Sequence, residues 1–118
     1  MKLLITCEDN NNQFKSKFDA RFGRANYFAV VYTETGELEF INNSASNAAA
    51  GAGVSAAQLV VDEHADGVIS GKIGPKALNG LKAGGIKVYY FNGSDIEEAV
   101  KEFTKGNLIV EYDPAAVD

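Results

Sequence analysis

A chain of 118 residues with 46% hydrophobic content carries enough apolar surface for one domain, spanning 1–118, and burial of about two-thirds of its unfolded surface. Sixteen acidic against eleven basic residues give a net charge of -5, which argues against a duplex nucleic-acid partner, since DNA rewards clustered lysine and arginine. The single cysteine, Cys7, excludes an intramolecular disulfide, and no apolar run reaches the ~20 residues that cross a bilayer, so the chain reads as cytoplasmic, with no membrane partner.

The opening Lys2 to Cys7 run is apolar and ends in the polar cluster Glu8 to Gln13, which predicts a buried first strand followed by a loop. Glu8 and Asp9 interrupt the run too soon for a signal peptide. Tyr27 to Thr33 is β-branched and aromatic, and Glu37 to Asn43 nearly alternates polar with apolar; with Glu34-Thr-Gly36 as the turn, the two form a β-hairpin. Ser44 to Gly53, rich in Ala, Ser, Asn and Gly, reads as a flexible connection. From Ala52 the spacing of Val54, Ala57, Val61 and Ala65 predicts a helix with those residues on its inner face, ending near Asp66-Gly67.

Val68-Ile69 is a brief buried strand between Gly67 and Gly71. Pro75 opens a second helix that carries Leu78, Leu81 and Lys82 and stops at Gly84-Gly85. Ile86 to Phe91 is a further strand. Ser94 as N-cap with Glu97 three residues on reads as a capping box that starts a third helix, which runs to Gly106. The stretch from about 107 reads as a flexible tail, with a little extended structure at Leu108 to Tyr112 and frayed chain after it.

This order predicts an α/β domain whose first, fourth and fifth strands run parallel while the second runs against them. Loops Glu8 to Asn26, Ser44 to Gly53, Gly71 to Lys76 and Asn92 to Ser94 then share the carboxyl edge of the parallel strands, where open α/β sheets bind ligands. Within Asp19-Ala-Arg-Phe-Gly-Arg-Ala-Asn-Tyr-Phe28, Arg21 and Arg24 offer permanently charged forks for anionic oxygens, while Phe22 anchors the loop and Gly23 admits a close backbone approach. Gly71-Lys-Ile-Gly-Pro-Lys76 places Gly71, Gly74 and Lys72 at a strand-to-helix junction, whose free N–H groups and helix dipole favour an anion. Gly51-Ala-Gly-Val-Ser-Ala56 matches G-x-G-x-x-A, but it lacks the acidic ribose partner of a dinucleotide site; Gly51 and Gly53 read instead as a collar at a helix N-terminus.

Cys7 ends the first strand at the same edge, within reach of a metal cluster. The only histidine, His64, falls at the opposite end, so neither a Cys-His pair, a Ser-His-Asp triad nor an ordinary zinc site can be assembled. Glu8, Asp9 and Asp19 are likewise divided from Asp62, Glu63 and Asp66, which argues against a two-metal nuclease centre.

Arg21-Phe-Gly-Arg-Ala25, Tyr27-Phe28, Gly51-Ala-Gly-Val54, Ala56-Ala-Gln-Leu59, Val68-Ile-Ser-Gly71 with Gly74-Pro75, and Leu81-Lys-Ala-Gly-Gly-Ile-Lys-Val88 together resemble the dinitrogenase iron-molybdenum cofactor biosynthesis family over nearly the whole chain. The resemblance implies a ribonuclease H-like three-layer α/β/α fold with a five-stranded mixed sheet, strand two antiparallel. It also implies a non-enzymatic protein that binds or carries the iron-molybdenum cofactor or an iron-sulfur precursor cluster, alongside cluster-assembly proteins. Cofactor-carrying members commonly have a histidine immediately before the Phe-Gly pair. Arg21 stands there in this chain, and it pairs with an anion where imidazole would ligate a metal, so Arg21→His is expected to raise cluster retention. The rival readings are a protein-interaction or regulatory module using the same loops, and, by fold analogy alone, a metal-dependent phosphoesterase.

Overall fold

A computed structural model describes residues 1–116. Its regular elements are β1 (Lys2–Cys7), β2 (Tyr27–Tyr32), β3 (Glu37–Asn42), α1 (Ala52–Asp62), β4 (Gly67–Ser70), α2 (Pro75–Ala83), β5 (Lys87–Tyr90), α3 (Ile96–Lys105) and β6 (Ile109–Tyr112). The strands form one mixed sheet in the order β3-β2-β1-β4-β5-β6. β1 is central, antiparallel to β2 and parallel to β4, and β5 continues parallel to β4. The hairpin turns where expected, with Gly36 at φ 76°.

The sheet has six strands, not five. Gly106, at φ 74°, ends α3 and turns the chain back, and residues 109–112 then pair antiparallel with β5 through Tyr89↔Val110 and Tyr90↔Ile109. That pairing satisfies a β5 edge that would otherwise be open. The chain from 107 to 116 is therefore mostly ordered structure, with a 3-10 turn at Pro114–Ala116. The part of the predicted tail at 117–118 lies outside the described residues.

Both faces of the sheet are covered, which is why the central strands are almost continuously apolar. Leu4, Phe28, Val30, Val68 and Val88 face α1 and α2, while Leu3, Ile5, Ala29, Ile69 and Tyr89 face α3. The inner face of α1 differs from the predicted stripe: Ala52, Ala56, Ala57 and Val60 are buried, whereas Val54 is half exposed. The helix also stops earlier, at Asp62, and His64 follows it exposed and left-handed at φ 57°.

The reason for the altered face is the neighbouring helix. A methyl built on Gly53 would stand 3.3 Å from the Ala77 Cβ, one on Gly80 would stand 3.4 Å from the Ala57 Cβ, and one on Gly84 would collide with Val61. Residues 53, 57 and 61 of α1 thus meet 77, 80 and 84 in or just after α2 in ascending order on both. The helices run parallel, packed through small residues, with their N-termini side by side.

The third helix is capped one residue later than predicted. Asp95 Oδ1 accepts the Glu98 N–H at 2.8 Å, and the Ser94 N–H donates to Glu98 Oε1 at 2.8 Å. Ser94 is committed elsewhere, since its carbonyl accepts the Phe18 N–H at 3.0 Å. The connection after β3 is also more ordered than its composition suggests: a 3-10 turn forms at Ser44–Asn47, capped by the Asn43 side chain.

Candidate functional site

The paired N-termini of α1 and α2 open on a surface cleft of about 540 Å3. Both helices have glycine at the N-cap, Gly51 and Gly74, and neither receives a side-chain cap. The first-turn N–H groups of Ala52, Gly53 and Val54 in α1, and of Lys76 and Ala77 in α2, therefore have no intrahelical acceptor. Pro75 has no N–H to contribute. Parallel helices placed side by side also bring two positive dipole ends together, which repel each other unless an anion lies between or before them. Arg24, Lys72 and Lys76 line the same cleft, and among the described residues no carboxylate does. In a chain of net charge -5 this is a local inversion of sign.

Three loops build the walls. Phe22 is buried and meets Phe28 edge-on, at 5.9 Å between centroids, which fixes the Phe22–Arg24 segment to the sheet. A methyl on Gly23 would stand 2.6 Å from the Gly53 nitrogen and 2.8 Å from the Ala52 carbonyl carbon, so glycine at 23 is what lets this loop rest on the start of α1. Arg24 braces the cleft as well as charging it, its Nη1 donating to the carbonyls of Ser46 at 3.0 Å and Ala48 at 2.6 Å. Asn43 holds the same wall from behind. Its buried Nδ2 donates to the carbonyls of Ala25 (2.9 Å) and Gly23 (3.3 Å), and its Oδ1 accepts the Ala45 N–H at 3.2 Å.

Phe22, Gly23, Arg24, Gly51, Gly53, Lys72 and Gly74 thus meet in one place. Gly71 lies beside them, lining a neighbouring groove with Lys72; a methyl there would stand 2.7 Å from the Ala20 Cβ, so its smallness serves loop packing. The Asn92–Ser94 loop does not line the cleft: Ser94 joins the Phe18 backbone instead.

Arg21 does not line the cleft either. Its Nε and Nη2 grip the buried Asp19 carboxylate at 3.0 and 2.8 Å, with the Arg21 N–H adding a third bond at 2.9 Å. Burial alone would push the Asp19 carboxyl up, but the hydrogen bonds and charge of Arg21 outweigh it and hold the group below the ordinary carboxylate range. The linkage runs in one direction: a depressed carboxyl stabilises the fold above its unfolded pKa and loses that contribution as pH falls through its folded pKa. Arg21→Ala is expected to cost about 1 kcal/mol at pH 7, since the arginine itself is largely exposed. The deficit should shrink below about pH 4. Urea titrations at the two pH values check this, and a pH-independent deficit contradicts the pairing.

Cys7 is fully buried in the cluster that faces α3, on the opposite side of the sheet from α1, α2 and the cleft. Burial, with the nearby Asp9 charge, pushes its thiol up to about 12. The expected ligand is thus a neutral core thiol, as the shared parity of Leu3, Ile5 and Cys7 along β1 implies. Ellman's reagent at pH 8 should leave Cys7 unmodified in the native protein and label it fully in denaturant; rapid native labelling would contradict this placement.

Two contributors were missed or undervalued from sequence. Lys76 stands in the motif but reads as subordinate to Lys72, and its cleft position follows from being the second residue of α2. Asn43 reads as the end of a strand, and its bracing role depends on contacts with residues 18 to 21 positions away.

The sequence profile described as "Dinitrogenase iron-molybdenum cofactor" matches residues 1–106. An uncharacterised protein of Methanocaldococcus jannaschii is 34% identical over 111 residues, 92% of this chain and 89% of that one. Among solved structures, the apo form of the orange protein from Desulfovibrio gigas superposes with a TM-score of 0.87 at 32% identity, covering 95% of this chain and 93% of that one. A NifB-like protein from Thermotoga gives 0.79 at 32% identity, with 92% and 91% covered.

Proposed function

The chain belongs to the dinitrogenase iron-molybdenum cofactor family, and from that premise we propose that it is a small non-enzymatic carrier whose cargo is an anionic metal cluster or a related small anion. Where the cargo is a cluster, it is the iron-molybdenum cofactor or an iron-sulfur precursor, received from and delivered to cluster-assembly proteins. The observation that carries this reading is the cleft itself: two uncapped helix N-termini and three cationic side chains converge, with no carboxylate among the described residues that line it. Its structural neighbour, the orange protein, was solved as an apo form, the state of a protein that takes a ligand.

The donor set defines how such cargo is held. Guanidinium, ammonium and backbone N–H groups bond to the outer sulfur or oxygen atoms of a cluster and neutralise its charge, but they do not ligate metal. Among the described residues no group of three His, Cys, Asp or Glu side chains is placed to hold a metal ion. A charge-held cluster leaves without the breaking of a protein–metal bond, which suits a carrier. Lys72 and Lys76 supply mobile charge, Arg24 supplies fixed charge, and the first turns of α1 and α2 orient the anion. Arg21 acts one step away, holding Asp19 and with it the base of the loop.

Anaerobic reconstitution with iron, molybdate and sulfide, followed by desalting, metal analysis and visible absorption, tests this. Metal should be retained at low ionic strength and stripped by about 0.5 M salt, where screening acts over about 4 Å. No retained iron or molybdenum at low salt defeats cluster carriage. Arg21→His, which the family pattern alone would expect to raise retention, should instead leave it unchanged, because that position pairs with Asp19 and stands outside the cleft lining.

A further inference from the structure

Lys72 stands in two hollows at once. One is the cationic cleft; the other, of about 580 Å3, runs along the sheet between α2 and β6 and is lined by Ile73, Leu78, Val88, Tyr90 and Ile109, with Glu111 its only acid among the described residues. This groove exists because of the sixth strand. α1 and α2 cover β1, β2, β4 and β5 on this face, whereas at the start of β6 Ile109 is left 62% exposed while lining the groove beside Tyr90. Farther along β6 the surface is closed, since Tyr112 packs against the core and the Lys82 ammonium lies 5.5 Å from its ring centroid. In this groove the open apolar surface of β6 is therefore Ile109, at the end that adjoins Lys72.

We propose that the ligand of this site is amphipathic, a small anion carrying an alkyl or ring body, with its charged head at the two helix N-termini and its apolar part in the groove beyond Lys72. This rests on the anionic reading of the cleft in its small-anion form, in place of a bare metal cluster, and adds the nature of the rest of the ligand. Charge sets the orientation: the cleft carries three cations and no acid, whereas the groove carries Glu111, which repels an anionic head. Lys72 at the junction suits both parts, since its ammonium meets the head while its methylene stem lies against the tail.

The test compares methyl phosphate with octyl phosphate, two monoesters with the same head, by isothermal titration calorimetry at low salt and below the octyl ester's micelle concentration. Burial of even two or three methylenes predicts at least about tenfold tighter binding of the octyl ester. Ile109→Glu, at a position already exposed, should erase that preference, read as the ratio of the two esters' affinities so that the effect of the new charge on their shared head cancels. Equal affinity for the two esters overturns the proposal, as does an octyl preference that survives in Ile109→Glu. Failure of both esters to bind defeats the anionic reading of the cleft itself, a different outcome. Sedimentation of the wild type and Ile109→Glu completes the test: a dimer abolished by the substitution would assign the groove to a second copy of the chain and overturn the ligand assignment.

Discussion

Asn43→Ala is expected to lower stability by about 3 kcal/mol and to weaken ligand binding in the cleft at the same time. The side chain is 2% exposed and joins three segments: its amide donates to the carbonyls of Ala25 and Gly23, and its carbonyl accepts the Ala45 N–H at the start of the 3-10 turn. Alanine removes all of these partners at once in a place water does not reach, where each deserted polar group costs about 1–3 kcal/mol. A melting-temperature loss of roughly 10 °C should accompany the change. Asn43→Asp separates hydrogen bonding from packing. It keeps the shape and the acceptor for Ala45 but turns the donor into a carboxylate facing carbonyl oxygens. It should be at least as damaging as alanine at pH 7 and should recover stability on acidification, because a protonated carboxyl donates again. A mild effect from both variants would show that the wall of the cleft is held by something other than this residue.

The contrast between Asn43 and the neighbouring elements shows where sequence suffices. The hairpin was readable because Gly36 and the flanking strands are local signals, and α2 because Pro75 and Gly84-Gly85 punctuate it. Strand order alone predicts four loops at the carboxyl edge; three of them meet at the cleft, while Asn92 to Ser94 does not line it. The face of α1 was not readable in the same way. An alanine-rich helix has several candidate stripes, and the choice among them is made by Gly80 and Gly84, which lie in and after a different helix. Arg21 fell between these cases: an acid two residues before it is a local ion-pair signal, yet only the burial of Asp19 shows that the pair outranks a ligand. β6 was foreseen only as a stretch of extended chain, because four residues have too little pattern of their own and pair by virtue of the open β5 edge.

Reversing charge at Lys72 and Lys76 together should reduce affinity for a divalent anion by at least about a hundredfold, or about 2.7 kcal/mol. These are the two cations that carry no bracing role, whereas Arg24 also holds the carbonyls of Ser46 and Ala48 and would confound binding with loop order. Titration with octyl or methyl phosphate reads the loss, and the remaining weak binding should show a smaller salt dependence. The same substitutions have the opposite sign for stability. Lys76 is the second residue of α2, in the first turn, where a cation opposes the helix dipole and a glutamate favours it by about 0.3–1 kcal/mol. Lys76→Glu alone should therefore melt slightly higher than the wild type while binding anions less well. Replacing a lysine retained merely for the fold would cost stability and leave binding intact, so a variant that is less stable and still binds normally would remove this residue from the site. A variant that gains stability as it loses its ligand identifies a charge held at the helix start against the preference of the helix itself.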